Sequence, residues 1–363
     1  MSLRLSRAAR PLTERWRNVP VEARGTTRLG ISFRPLQAQA FGLESRATLD
    51  ALLAHPYALI RLAALWDRME PDPDVFDPSP LDWQVEAAER AGKQVILAVG
   101  AVKNFGYPEF FVPKHRLPVP LPEGTVVSEA SHPELLEAAL GFVARVVERY
   151  EGHESVVAWQ VEHEAVDPLG IEHSWRLAAG FVKREMAEVR RLDPRRPIVL
   201  NGFLPMSAPV AAQQWWRTRD QGDSLSLAEE AAEIIGVDFY PCHALGAAGG
   251  FTAYMNAGEH DWPRRARRVV ERAAARGRQL MISEGQAEPW EAVTTPPSPA
   301  GKAMASCPPE RVIENYNRCL VLARKSGGAL DAYLFWGAEY WLLRQRTGDA
   351  SYLRAFQRIL AGD

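Results

Sequence analysis

Cysteine is scarce: Cys242, Cys307 and Cys319 are odd in number and fit no CxxC or Cys/His ligand spacing. That argues against a disulfide framework and a structural zinc site, and it suits a reducing compartment. Charge of either sign is not in excess, with 43 Lys and Arg against 45 Asp and Glu and a formal net charge of −2. So balanced a chain gives no electrostatic pointer to nucleic acid or to an anionic membrane. The cations are nearly all arginine, which reads as coding composition rather than phosphate binding. No apolar run approaches the roughly 18 residues of a membrane span, and MSLRLSRAARPLTERWRNVP lacks the roughly 7 to 15 apolar residues of a secretory signal. A cytoplasmic protein is expected, with 1–28 as a basic leader, extended or loosely packed. Also missing are GxGxxG and GxxxxGK[ST] loops, HExxH and GxSxG, the signatures of nucleotide binding, zinc proteolysis and serine hydrolysis.

What is present is a large apolar complement, 47% of 363 residues, ample for one substantial core. From residue 29 a short apolar run, a polar loop and a longer segment with apolar residues three and four apart recur. The spacing predicts strands at 29–33, 58–62, 94–99, 156–161, 197–200, 235–240, 279–283 and 332–336. Helices are predicted at about 79–92, 173–192, 258–277 and 309–326, with another that opens on Ser131-His132-Pro133-Glu134 and stops at Gly152. Strands apolar on both faces and joined by helices call for a parallel sheet covered on both sides. Eight such units favour closure into a single (β/α)8 barrel over 29–363. Two connections, roughly 101–130 and 285–308, are long and proline-rich and follow strands three and seven. In a barrel they lie on the C-terminal face, where ligands bind.

The fourth strand runs into Trp159-Gln160-Val161-Glu162-His163-Glu164 and the seventh into Met281-Ile282-Ser283-Glu284-Gly285-Gln286. Each leaves a carboxylate just past a buried strand, and strands four and seven stand on opposite sides of an eight-stranded mouth. Cleaving a glycosidic bond needs such a pair: one carboxyl protonates the leaving oxygen, the other attacks the anomeric carbon or activates water.

Trp159 to Glu164 resembles the WQVENE segment of the retaining (β/α)8 glycoside hydrolase clan that includes cellulase-like enzymes, β-galactosidases and β-mannanases. Ile282-Ser283-Glu284-Gly285-Gln286-Ala287-Glu288-Pro289-Trp290 is similar to the stretch around their nucleophile, in the SExQAEPW form of a cellulase-like bacterial subgroup. The resemblance extends from Gly30-Ile31-Ser32-Phe33 to Leu334-Phe335-Trp336-Gly337. It implies Glu164 as acid/base and Glu284 as nucleophile. It also implies that Arg61 on the second strand and Tyr240 past the sixth hydrogen-bond the nucleophile, and that Trp336 floors the cleavage point. His163 departs from the Asn most of the clan has before the acid/base; the β-mannanase branch resembles this chain there, and His can donate a similar bond to the sugar 2-hydroxyl.

The reading is therefore a retaining glycosidase acting on β-glycosidic bonds of small glycosides or oligosaccharides, with a carbohydrate partner and neither metal nor organic cofactor. Sugar identity and oligomeric state are not legible. Trp66 and Trp290, just past strands, are expected to stack on sugar; Trp215 and Trp216 fall in a helix and are expected to pack. Glu288 and Glu339 are spare carboxylates near the mouth, read as structural. Two other readings stand beside this one: a sugar-binding barrel that has lost catalysis, and a metal-dependent hydrolase using His153-Glu154, His163-Glu164 and Glu172-His173, whose spacing is wrong for one ligand set.

Overall fold

Runs that are apolar on both faces form the strands β1 (Arg28–Ser32), β2 (Leu59–Ala63), β3 (Gln94–Ala98), β4 (Val156–Gln160), β5 (Ile198–Phe203), β6 (Ile234–Phe239), β7 (Gln279–Gln286) and β8 (Ala332–Trp336). They close into a barrel in chain order. The structure is a computed structural model that describes residues 2–7, 9–73, 75–168, 173–248, 251–256, 261–291, 302–304 and 306–363. Two compact units divide the chain: 58–203 with 212–236 holds β2 to β5, and 1–57 with 204–211 and 237–363 holds β7, β8 and β1, the boundary at 236/237 falling within β6.

In the first of these, β2, β3, β4 and β5 pair in parallel, with Leu59 opposite Gln94 and Trp159 opposite Ile198. Every residue of β2 and β5 is buried, as a parallel sheet covered on both faces requires. The helix Pro133–Tyr150 opens on proline in its first turn and buries Leu135, Leu136, Ala139, Phe142, Val143, Val146, Val147 and Tyr150 on one face. The helix predicted from 173 starts only at Ala179. Arg176 and Leu177 instead pair with Val126 and Val127, a long-range contact that local periodicity does not contain. β5 also runs on to Phe203, three residues past its predicted end, and so takes in Asn201.

In the other unit β7, β8 and β1 pair in parallel around an aromatic core in which Phe335 meets Phe356 at 5.1 Å and Trp341 meets Phe356 at 4.7 Å. β7 extends to Gln286 with an irregular register between Ile282 and Gly285, so Glu284 lies within the strand rather than past it. The expected loose leader is instead held down. Ser2–Arg7 pairs antiparallel with Phe251–Asn256, Ala9–Pro11 pairs with Lys302–Met304, and Trp16 is buried. Arg358 Nη1 donates to the carbonyls of Trp16 (2.6 Å) and Val19 (3.1 Å). Residues 258–260 of a predicted helix and 292–301 of the second long connection, with Pro296, Pro297 and Pro299, lie outside the described residues. Among the described residues no helix is long and apolar enough to cross a membrane.

Phe142 stacks on Trp66 with centroids 5.6 Å apart and is fully buried. Phe142→Ala is expected to lower stability by about 3–5 kcal/mol, read from urea unfolding. A loss below about 1 kcal/mol would show that this layer collapses into the gap.

Candidate active site

Around the C-terminal ends of β2, β4 and β5 a relay of amides sets the state of one histidine. Arg61, fully buried in β2, donates from Nη1 to Gln160 Oε1 at 3.2 Å, which turns the Gln160 amide so that Nε2 donates to Asn201 Oδ1 (3.2 Å) and to the Glu162 carbonyl (3.0 Å). Asn201 Oδ1 also accepts from the backbone N–H of Glu164 at 3.4 Å. That leaves Asn201 Nδ2 to donate to His163 Nδ1 at 2.8 Å. His163 Nδ1 is thus an acceptor, and the imidazole is neutral with its proton on Nε2. Burial first, then the charges of Arg61 and Lys103, push its pKa well below the usual histidine value, in agreement.

Beyond β4 the chain turns sharply. Glu162 and Glu164 have φ of 57° and 42°, left-handed values that non-glycine residues seldom adopt. The buried Glu162 carboxylate accepts from the backbone N–H groups of Val102 (2.9 Å) and Lys103, and Lys103 Nζ donates to the carbonyls of Glu164 (3.1 Å) and Asp167 (3.4 Å). Gly100 lets the two segments touch: a Cβ there would lie 2.1 Å from the Glu162 nitrogen. Behind Glu162 sits Glu185, also buried and hydrogen-bonded to it. Burial raises Glu162 to about 6, and burial with the Glu162 charge raises Glu185 well above the carboxylate range.

At β6 to β8 the Tyr240 hydroxyl donates to Glu284 Oε2, and Glu284 is only 2% exposed. Trp290, half-buried, packs edge-on to Tyr240 at 5.7 Å and donates its backbone N–H to Ser306 Oγ at 2.8 Å. Arg34 is buried beneath Trp336, its Cζ 4.3 Å from the ring centroid. Its guanidinium donates to both Glu288 oxygens (2.7 and 2.9 Å) and to Glu339 Oε2, while its backbone N–H donates to Glu339 Oε1 (2.6 Å). Glu288 and Glu339 are therefore engaged in holding Arg34. Gly337, at φ 119°, lets the chain pass Glu288, whose Cβ would be 2.3 Å from a side chain there.

Of the residues singled out from the sequence, Arg61, His163 and Glu164 come together on the β2–β5 unit, and Tyr240, Glu284, Trp290 and Trp336 on the other. Trp66 does not join them. It is fully buried against Phe142, so its strand-end position marks core packing rather than a sugar platform. Trp215 and Trp216 depart the other way: they lie on the helix Ala208–Thr218 yet are 65% and 60% exposed. His153 Nδ1 lies 2.8 Å from Glu89 Oε1 and His173 Nδ1 2.9 Å from Glu123 Oε1, two separate hydrogen-bonded pairs, while Glu172 is outside the described residues. Sequence reading missed Gln160, Asn201, Lys103, Arg34, Glu162 and Glu185. The available signal was a polar residue inside an otherwise apolar strand run, as at Gln160 and Asn201.

Residues 57–181 match the family profile described as Beta-galactosidase, Glyco_hydro_42, a segment that includes Arg61, His163 and Glu164 and ends before Glu284. The matched segment resembles part of that family, and the solved structures similar to the chain share its (β/α)8 fold. Similar solved structures include xylanase 10B from Thermotoga maritima, at 15% identity over 94% of this chain and 98% of that one with a TM-score of 0.56. A GH10 xylanase from Thermobacillus composti matches at 17% identity over 93% and 97%, with a TM-score of 0.53. A GH5_18 protein from Streptomyces cattleya, solved with Manb1-4GlcNAc, matches at 14% identity over 85% and 70%, with a TM-score of 0.57. No curated protein sequence matches the chain.

Because Glu162 and Glu185 are both raised, the folded chain keeps a proton that the unfolded chain releases above about pH 4.3. The native state then binds more protons than the unfolded state, and stability falls as pH rises through that window. Glu185→Gln keeps the shape and donor of the neutral acid. It is expected to flatten the fall between about pH 4.5 and 6.5, by up to about 1.4 kcal/mol per pH unit, in urea midpoints measured across the range. An unchanged slope would mean that both carboxyls ionise freely.

Proposed function

We propose that the chain is a retaining glycosidase that cleaves β-glycosidic bonds of small glycosides or oligosaccharides by double displacement. The observation that carries this reading is the Tyr240 hydroxyl donating to the buried Glu284 carboxylate. That hydrogen bond fixes one oxygen of the carboxylate that is to attack. Glu284 Oε1 bonds to the anomeric carbon as the bond to the leaving oxygen breaks, and that oxygen takes the proton of Glu164. Glu164 then removes a proton from water, whose oxygen bonds to the anomeric carbon and releases the Glu284 carboxylate. Every step uses protein groups and water alone.

The other residues take roles around those steps. Arg61 is assigned to hold the nucleophile ionised while also orienting Gln160. His163, neutral and protonated on Nε2, is assigned as donor to the sugar 2-hydroxyl, a bond that strengthens as positive charge develops on the ring. Trp336 serves as floor and Trp290 as wall, each presenting indole to the flat CH face of a sugar. The stretch from Ser283 to Trp290 supports a cellulase-like subgroup, and the xylanase neighbours put xylosides among the substrates to try. The three buried free thiols suit action in the cytoplasm.

Intact-protein mass after incubation with activated 2-fluoro glycosides in gluco, galacto, manno and xylo forms tests the nucleophile. One sugar per chain, mapping to Glu284, is expected, and Glu284→Gln should take none. A folded protein that none of the four labels would overturn the retaining assignment and favour a barrel that only binds sugar. Glu164→Gln should slow hydrolysis of glycosides with poor leaving groups by about 10²–10⁴-fold and affect well-activated ones far less in the first step. Equal losses for both would show that Glu164 does not deliver the proton.

A further inference from the structure

Two adjacent tryptophans are left in solvent. Trp215 and Trp216 keep 65% and 60% of their surface exposed, although tryptophan is among the side chains that gain most from burial. Their helix, Ala208–Thr218, lies between β5 and the helix Ser224–Ala231. That places it in the loop leaving the C-terminal end of β5, the end of a barrel at which substrates bind.

The segment that carries them is tied to the one that carries Glu164. Gln214 Nε2 donates to Asp167 Oδ1 at 3.1 Å, and the Asp167 backbone N–H donates to the Glu164 carbonyl at 3.1 Å. On the far side Arg176 grips Asp220 through two bonds of 2.8 and 2.9 Å, and Gln221 Nε2 donates to the Leu177 carbonyl at 2.9 Å. The indoles are therefore held in place relative to the acid/base. Their rings stand 57° apart with centroids at 6.4 Å, and the Arg219 guanidinium lies 4.0 Å over the Trp216 ring.

The chemistry of this patch selects its occupant. Two indoles at those exposures offer roughly 300 Å² of apolar surface, well short of the roughly 800 Å² per partner of a stable protein interface. Arg219 over Trp216, with the exposed Arg217 and Asp220 of the same segment, gives this apolar surface charged hydrogen-bonding groups for a rim. A sugar ring fits that pattern, with a CH face to stack on indole and hydroxyls at its edge to bond to the rim.

We propose that Trp215 and Trp216 form an outlying sugar-binding site for the distal units of an oligosaccharide whose reacting bond lies at Glu164. The inference rests on the glycosidase reading and names the substrate as a chain of several sugars rather than a short glycoside. Its test is calorimetric titration of the full chain carrying Glu284→Gln, so that nothing turns over, with xylotetraose, cellotetraose and mannotetraose beside the monosaccharides. One tetraose should bind more tightly than its monosaccharide. Adding Trp216→Ala should cut that gain about tenfold, as should Trp215→Ala, while Trp216→Phe keeps most of it. A gain that survives both alanine variants overturns the proposal, and so does a parent that binds mono- and tetrasaccharide alike. A double alanine variant that turns an oligomeric parent into a monomer in sedimentation would assign the patch to a second copy instead. Labelling of Glu284 by the fluoro-glycosides reports separately on the underlying reading, because it does not depend on chain length.

Discussion

The left-handed turn from Glu162 to Glu164 is the constraint on which the candidate residues of the β2–β5 unit depend. Two non-glycine residues in that conformation cost about 1–3 kcal/mol each, so something must hold them there. The Glu162 carboxylate does so by taking two backbone N–H groups of the loop after β3, and Lys103 does so from the opposite side by donating to the carbonyls of Glu164 and Asp167. His163 lies between the two strained residues, so its position is a by-product of the same turn. Asn201 then reads both ends, accepting from the Glu164 N–H and donating to His163. A straight continuation of β4 would follow strand alternation and separate these groups.

Buried charge serves geometry in both units. Arg61 is engaged by Gln160 and lies 4.0 Å over Phe105, and Arg34 is divided between Glu288 and Glu339 beneath Trp336. A buried ion without partners is costly, so each of these is surrounded by hydrogen bonds that also fix its neighbours. This is why Glu288 and Glu339, although close in sequence to Glu284 and Trp336, are poor candidates for binding sugar hydroxyls: Arg34 already takes three of their four oxygens through its guanidinium and the fourth through its backbone N–H.

The barrel was legible because parallel strands buried on both faces leave an apolar run that no loop or surface helix imitates, and all eight fall within a few residues of their expected places. Glu164 and Glu284 were proposed as a pair because a carboxylate beside such a run is conspicuous. What the chain did not disclose is set by distant partners. The 173–178 stretch carries enough apolar residues to suggest a helix, but its pairing with Val126 and Val127 comes from a loop some fifty residues earlier. Trp66 and Trp216 look alike as letters, yet Trp66 is covered by Phe142 from far along the chain, whereas Trp216 meets Arg219 and Trp215 beside it in sequence and stays exposed. Glu162 was overlooked because its role is to receive backbone N–H groups, and a backbone donor leaves no mark on the sequence.

The different burial of the two proposed catalytic carboxyls fits their different duties. A nucleophile that stays ionised throughout needs no exchange with solvent; it needs a fixed oxygen and a donor, and Glu284 is nearly sealed and held by Tyr240. A group that gives up a proton in one step and regains it from water in the next must keep a path to water, and Glu164 is only half-buried. Reversing the assignment would ask the sealed carboxyl, held by a tyrosine hydroxyl, to trade protons with water. It would also ask the more hydrated carboxylate, which water stabilises before attack, to be the stronger nucleophile. Solvent access, as well as position on the strands, thus supports the proposed order, with Glu284 as nucleophile and Glu164 as acid/base.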